Sequence, residues 1–169
     1  MKVESAHIRN FRMLKEIDID FEDTLSLVIG KNNSGKTSFL IVLQRFLTES
    51  KPEFVFEDFS LEVQQKILEL ENKMLKAEEY DEIALSLKLV ISYKQTDNLG
   101  AASKLLLDLD SSKTHLVILF EYALAYEKYL KLVKDYAEYR GKGIERDFQY
   151  YVSNNIRNSV KRLRRTRNF

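Results

Sequence analysis

The sequence predicts an α/β fold, and three observations carry that prediction. An apolar run at residues 25–29 feeds into a glycine-bounded loop, and a segment with helical apolar spacing follows it. Two segments, 83–93 and 116–124, alternate with the period of two that a half-buried strand requires. From residue 127 to the end the spacing is mostly helical, with a break at Gly141 and Gly143.

Taken in order, residues 3–8 read as a short strand. Ile17, Ile19 and Phe21 alternate with Asp18 and Asp20, so a second strand with one wet face follows. The run Leu25, Leu27, Val28, Ile29 lacks that alternation and reads as a strand buried on both faces, as in the parallel part of an α/β sheet. Beyond Lys36, the residues Phe39, Leu40, Leu43, Phe46 and Leu47 fall at helical spacing up to about residue 47. Val63, Ile67, Leu70, Met74 and Ala77 form a 4-3-4-3 stripe, which predicts a helix over 61–80 packed on the sheet. Ile83, Leu85, Leu87, Leu89, Ile91 and Tyr93 then form one face of a long strand, and Leu116, Ile118, Phe120, Tyr122 and Leu124 form another. Residues 99–110 read as a short helix or loop between them. Two alternating strands so close in sequence suggest an antiparallel sheet with one solvated face.

Composition excludes several classes. At 169 residues the chain can bury a core of its own. No apolar run approaches the ~18 residues of a membrane span, and the first dozen residues lack a signal-peptide layout. The chain has no cysteine, which removes disulfides and thiolate metal sites and fits a cytoplasmic location. The net charge of +1 hides an uneven distribution. Residues 49–82 are acid-rich, whereas Lys161, Arg162, Arg164, Arg165 and Arg167 crowd the C-terminal end. That cluster suits contact with DNA or RNA phosphates, against the plainer reading of a solvated helix end or a helix-terminal run pairing with acidic residues elsewhere. His7 and His115 have no neighbours at metal-ligand spacing and read as ordinary core or surface residues. Tyr122, Tyr126, Tyr129, Tyr136 and Tyr139 read as packing residues in preference to a base-stacking platform.

The chemistry concentrates in Gly30-Lys31-Asn32-Asn33-Ser34-Gly35-Lys36-Thr37, which fits G-x-x-x-x-G-K-[ST]. Glycines let the backbone turn sharply and approach an anion closely. Successive N–H groups then form one concavity, and the following helix adds the positive end of its dipole. Lys36 is the expected ligand of the β- and γ-phosphates, and the Thr37 hydroxyl the expected ligand of Mg²⁺. The expected cofactors are ATP and Mg²⁺.

The first fifty residues resemble the ATPase heads of the ABC/SMC superfamily, most nearly the branch containing RecF and the OLD family of ATP-dependent nucleases. The likeness rests on Ile8-Arg9-Asn10-Phe11-Arg12, on Ile17-Asp18-Ile19, and on the loop continued through Ser38 as G-K-N-N-S-G-K-T-S. It implies a P-loop NTPase N-lobe with a mixed sheet, an antiparallel β subdomain and C-terminal helices. The expected division is an ATPase lobe at 1–126 and a helical arm or C-terminal helices at 127–169. The resemblance also implies that Arg12 lies near the nucleotide phosphates, against the plainer reading of a surface arginine at a strand end. It implies that Asp58 and Phe59 belong to a segment sensing Mg²⁺ or the γ-phosphate, against the plainer reading of a surface loop.

Hydrolysis requires a second carboxylate site and a group that positions water. Neither the family's signature nor its paired-carboxylate strand is visible here. The nearest candidate, Leu116 to Glu121, has the apolar run and only a single carboxylate. The expectation is therefore an ATP-binding part of an OLD-like ATPase acting in DNA metabolism or phage defence. Its partner would be a second copy or a complementary ATPase lobe, with negligible hydrolysis by this chain alone. A non-catalytic, ATP-dependent interaction module is the alternative. A P-loop phosphotransferase is a third reading, without a lid or acceptor motif to support it.

Overall fold

A computed structural model describes residues 1–48, 53–73, 75–81, 83–94, 96–97, 114–143 and 146–168. Among the described residues, five strands form one sheet in the order β2-β1-β3-β4-β5. They are β1 (Lys2–Phe11), β2 (Leu14–Asp20), β3 (Ile83–Ser92), β4 (His115–Leu124) and β5 (Lys161–Asn168). The described α-helices are α1 (Lys36–Thr48), α2 (Leu61–Glu69), α3 (Tyr126–Arg140) and α4 (Phe148–Ser159). The expected helix over 61–80 stops at Glu69, and short 3₁₀ turns follow at Leu70–Asn72 and Ala77–Glu79. The reading of 99–110 falls outside the described residues.

Alternation decides which side of the sheet is dry. Ile17, Ile8, Leu87 and Phe120 are direct cross-strand partners in one row, as are Ile19, Ala6, Leu89 and Ile118 in the next. Ile8 and Leu87 are wholly buried. This face carries the helices: Phe46 of α1 stacks on Phe120 at 5.7 Å, and Phe54 meets Phe46, Phe11 and Tyr122. A second aromatic layer joins the remaining helices. Tyr136 of α3 packs on Phe148 and Tyr151 of α4, and Tyr80 stacks on Tyr129 at 5.1 Å. The tyrosines thus serve packing; Tyr122, Tyr129 and Tyr136 are buried. Asp147 caps α4 by accepting from the Tyr150 N–H at 2.8 Å, which satisfies one of the orphan donors of that helix end.

The opposite face is polar. Its rows read Asp18, His7, Lys88, Leu119, Arg165 and, one step along, Asp20, Ser5, Val90, Val117, Arg167. Acidic residues therefore gather on β2 and basic residues on β5, at the two edges of the sheet.

Further expectations are corrected. Among the described residues the sheet is not mixed: its four strand pairings are antiparallel. The reason lies in residues 25–29, which take no place in it. They form no regular strand, and Leu25, Leu27 and Ile29 are 75%, 74% and 80% exposed. The apolar run carries the composition of a doubly buried strand, yet no described strand lies beside it. The second correction concerns the basic C-terminal segment. It is not a helix end. Lys161–Asn168 returns to the sheet and pairs with β4 from Leu116↔Asn168 to Ala123↔Lys161. Charged side chains on an edge strand also blunt edge-to-edge aggregation.

Candidate functional site

The phosphate loop lies directly before α1. Lys36 is the first helical residue, so the N–H groups of Lys36, Thr37 and Ser38 have no intrahelical acceptor and stand at the positive end of the helix dipole. Met13 and residues Asn32, Asn33, Ser34, Gly35, Lys36, Thr37 and Ser38 line a cleft of about 390 Å³. Backbone shape follows from sequence here. Gly35 has φ +90°, and a Cβ on it would stand 2.6 Å from Leu14 Cδ2 and 3.4 Å from Met13 Cγ. Only glycine permits both the dihedral and the approach of the β1–β2 turn. Asn33 has φ +62°, which asparagine tolerates better than most residues. A Cβ on Gly30 would fall 2.6 Å from Ser34 Oγ. The loop is thus folded tightly on itself. Lys36 Nζ donates to Gly30 O and Lys31 O, each at 2.6 Å, so the ammonium sits within the ring of the loop.

A polyphosphate fits these groups chemically. The cradle offers helix-terminal N–H donors, a lysine ammonium and the Thr37 hydroxyl within one cleft, and it holds no carboxylate that would repel an anion. A larger cleft, about 770 Å³, lies where β1 and β4 begin and β3 ends. Several of its polar groups are paired: Met1 N with Asp97, Lys2 with Asp23, and His115 Nε2 lies 3.3 Å from Glu4 Oε2.

Arg12 is half-buried and does not stand as a free strand-end arginine. Its Nε and Nη2 donate to Asp58 Oδ1 at 3.0 and 2.8 Å. Asp58 is 1% exposed, so the plain reading of a surface loop at 58–59 is wrong. The burial has a local cause. Phe11 bridges Phe59, Arg12 N donates to Asp58 O at 2.9 Å, and Ser60 N donates to Asn10 O at 2.9 Å, which zips residues 58–60 onto the end of β1. Positive φ values at Asn10 (63°) and Arg12 (50°) give the turn its shape. Arg45, in the last turn of α1, binds Asp58 Oδ2 from the other side. Sequence reasoning missed Arg45 and Met13. Met13 directly follows the Ile8–Arg12 motif and Arg45 lies in the last turn of the helix that the loop opens, but only the tertiary fold brings them to the site.

Other sequence candidates are placed as follows. Glu121 follows Phe120 and precedes Tyr122, both of which face the helices, so it points to the opposite side of the sheet from α1. There its Oε2 makes no hydrogen bond, with Arg165 Nε at 3.5 Å. The basic cluster is divided by the pleat. Arg162 and Arg164 share the helix-bearing face, and Arg162 Nη2 donates to Phe46 O at 3.1 Å near the C-terminus of α1. Lys161, Arg165 and Arg167 lie on the polar face. His7 Nδ1 pairs with Asp18 at 2.6 Å on that same face. Among the described residues no group of three or more His, Asp or Glu could hold a metal ion, and no helix is long and apolar enough to cross a membrane.

Strand-paired turn, glycine loop and helix N-terminus together define a P-loop nucleotide-binding domain. A model of the AAA ATPase domain matches residues 1–167, and the chain belongs to that family. Two curated relatives match the N-terminal part. The DNA replication and repair protein RecF of Lactobacillus acidophilus is 42% identical over 40 residues, 24% of this chain and 11% of that protein. An uncharacterized protein of Methanocaldococcus jannaschii, MJECL10, is 37% identical over 46 residues, 27% of this chain and 21% of that protein. The chain therefore matches less than a quarter of the length of either relative.

Proposed function

We propose that this chain is the ATP-binding lobe of an ABC/SMC-type ATPase related to the OLD and RecF branch, acting on DNA or in phage defence. One observation carries the reading: a tightly wound phosphate loop whose preceding apolar run, residues 25–29, lies outside the sheet and exposed. A segment of that composition is built for burial between neighbouring strands. A complementary ATPase lobe, or a second copy, would supply the cover, together with the carboxylates that hydrolysis needs. Within this chain, Gly30, Lys31, Asn32, Asn33, Ser34, Gly35, Lys36, Thr37 and Ser38 hold the phosphates, and Thr37 ligates Mg²⁺. Bound Mg²⁺ neutralises phosphate charge; the loop's part is to bind and orient. Residues 1–126 form the lobe and 127–169 the helical arm, whose last strand returns to the sheet. Lys161, Arg165 and Arg167 are the residues offered to a nucleic-acid backbone, since Arg162 is engaged with α1.

Calorimetry with Mg·ATP tests the reading. Lys36→Ala removes the ammonium from the phosphates and is expected to abolish measurable binding. An unchanged affinity would refute the loop assignment. Turnover by the purified chain is expected to be negligible, and robust Lys36-dependent hydrolysis would show that the chain carries its own water-activating group.

A further inference from the structure

Asp58 is the most deeply buried charged group described, and phosphate binding by the loop makes no direct use of it. Its carboxylate is saturated. Oδ1 accepts two bonds from Arg12, and Oδ2 accepts from Arg45 Nη1 and from the Val55 N–H at 3.1 Å. A carboxylate has about four acceptor positions, and all are taken. Two guanidiniums share one carboxylate, so the cluster carries one positive charge that nothing within it compensates. Arg12 is 35% exposed, so its remaining donors are open to an anion as well as to solvent. The anion-binding cleft is adjacent: Met13, the next residue, lines it, and Leu14 presses against Gly35.

The geometry of Arg12 is equally specific. Asp58 occupies the Nε proton and one Nη2 proton, which locks the plane of the guanidinium along its inner edge. Nη1 and the second Nη2 proton remain, on a side chain that is 35% exposed. Arginine presents five donors in a rigid fork, so fixing one edge aims the other. Arg45 extends the same anchor. It joins Asp58 to the far end of α1, the helix whose first turn forms the loop, and so ties both the turn above the loop and the helix behind it to one carboxylate.

We infer that Asp58 is a positioning residue for nucleotide binding: it holds Arg12 so that the free edge of the guanidinium meets a phosphate oxygen in the neighbouring cleft. The inference rests on the nucleotide-binding reading given above. It assigns Asp58 no contact with nucleotide or metal. Its effect passes through Arg12.

A double-mutant cycle tests it. Mg·ATP affinity is measured by calorimetry for wild type, Asp58→Asn, Arg12→Ala and the double variant, with thermal melting to verify the fold. Asp58→Asn keeps the shape but turns an amide donor toward Arg12 or toward Arg45 and Val55. It is expected to weaken ATP by about tenfold, a loss of roughly 1.4 kcal/mol. In the Arg12→Ala background the same change is expected to cost clearly less, only what the Arg45 anchor of α1 contributes, because the group it positions at the phosphate is gone. Additive losses, or an unchanged affinity in Asp58→Asn, would overturn the inference. Should Asp58→Asn fail to fold, Arg12→Lys decides. It retains the charge but cannot be gripped along one edge, so its affinity is expected to match Arg12→Ala, and full affinity would overturn the proposal. Wild type that binds no ATP would defeat the nucleotide reading itself, and this inference with it. Wild type that binds while the cycle is additive defeats only this inference.

Discussion

Replacing Gly35 by alanine isolates the shape of the phosphate loop from its charge. Two costs follow from the structure. At φ +90° an L-residue is strained, by about 1–2 kcal/mol for a left-handed conformation. The new methyl would also stand 2.6 Å from Leu14 Cδ2. Leu14 is 6% exposed and packed in the core, so it cannot swing away freely. Overpacking of this sort costs about 1–3 kcal/mol. Residues 30–34 are exposed, however, and the loop can relax away from Leu14 at small cost to the fold. The penalty is therefore expected in binding, not in stability. A loss of at least about 2 kcal/mol corresponds to roughly thirtyfold weaker Mg·ATP binding. The melting temperature should move by no more than about 2–4 °C, the shift expected for 1 kcal/mol in a chain of this size. Calorimetry and a thermal melt on the same sample check both numbers. Affinity within threefold of wild type would refute the claim that this loop conformation is the one that binds. A melting temperature lowered by more than about 8 °C with affinity intact would place the strain in the core instead.

Arg162→Ala removes a donor to Phe46 O and a guanidinium 5.5 Å from the Phe120 ring. Chemical denaturation should register a loss of about 1–2 kcal/mol, whereas Arg167→Ala, on the polar face, should change stability by less than about 0.5 kcal/mol. Burial raises the phenol pKa of Tyr122, Tyr136 and Tyr151 above the ordinary value. A folded-state pKa above the unfolded one stabilises the fold fully below about pH 10 and ceases to do so as the pH climbs through the raised value. Alkaline unfolding followed by circular dichroism should therefore coincide with a late fraction of the phenolate absorbance, after exposed tyrosines such as Tyr150 have ionised, and ionisation of all the tyrosines before unfolding would refute the burial argument. Leu27→Ser with Ile29→Ser should leave the melting temperature of the isolated chain unchanged, since both side chains are largely exposed. The same pair should abolish association with a complementary ATPase lobe in analytical ultracentrifugation, and retained association would exclude this run as the contact.

Strands with strict alternation were legible in the sequence because burial on one face leaves a period of two, as 83–92 and 115–124 do. The phosphate loop was legible because its chemistry is local: glycine, lysine and threonine within eight positions. What escaped is what depends on partners distant in the chain. Residues 25–29 have the composition of a buried strand, and composition records what a segment is suited to without recording what lies beside it. Lys161–Asn168 looked like a helix end because its charges hide the alternation; only its pairing with β4 separates Arg162 from Arg165. Asp58 resembled a loop residue among acidic neighbours. Its burial requires Arg12, 46 positions away, and Arg45, 13 positions away, to arrive together.

The polar face of the sheet has a further physical consequence. Acidic side chains on β2 and basic ones on β5 stand four strand spacings apart, about 19 Å. A near-neutral molecule with its charges so sorted is a dipole lying across its own strands. Such a dipole experiences a torque in the field of any approaching polyanion, and it turns before it touches. The β5 edge would lead that approach whatever the final contact. The rate of productive encounter would then fall with added salt even if the equilibrium affinity scarcely changed.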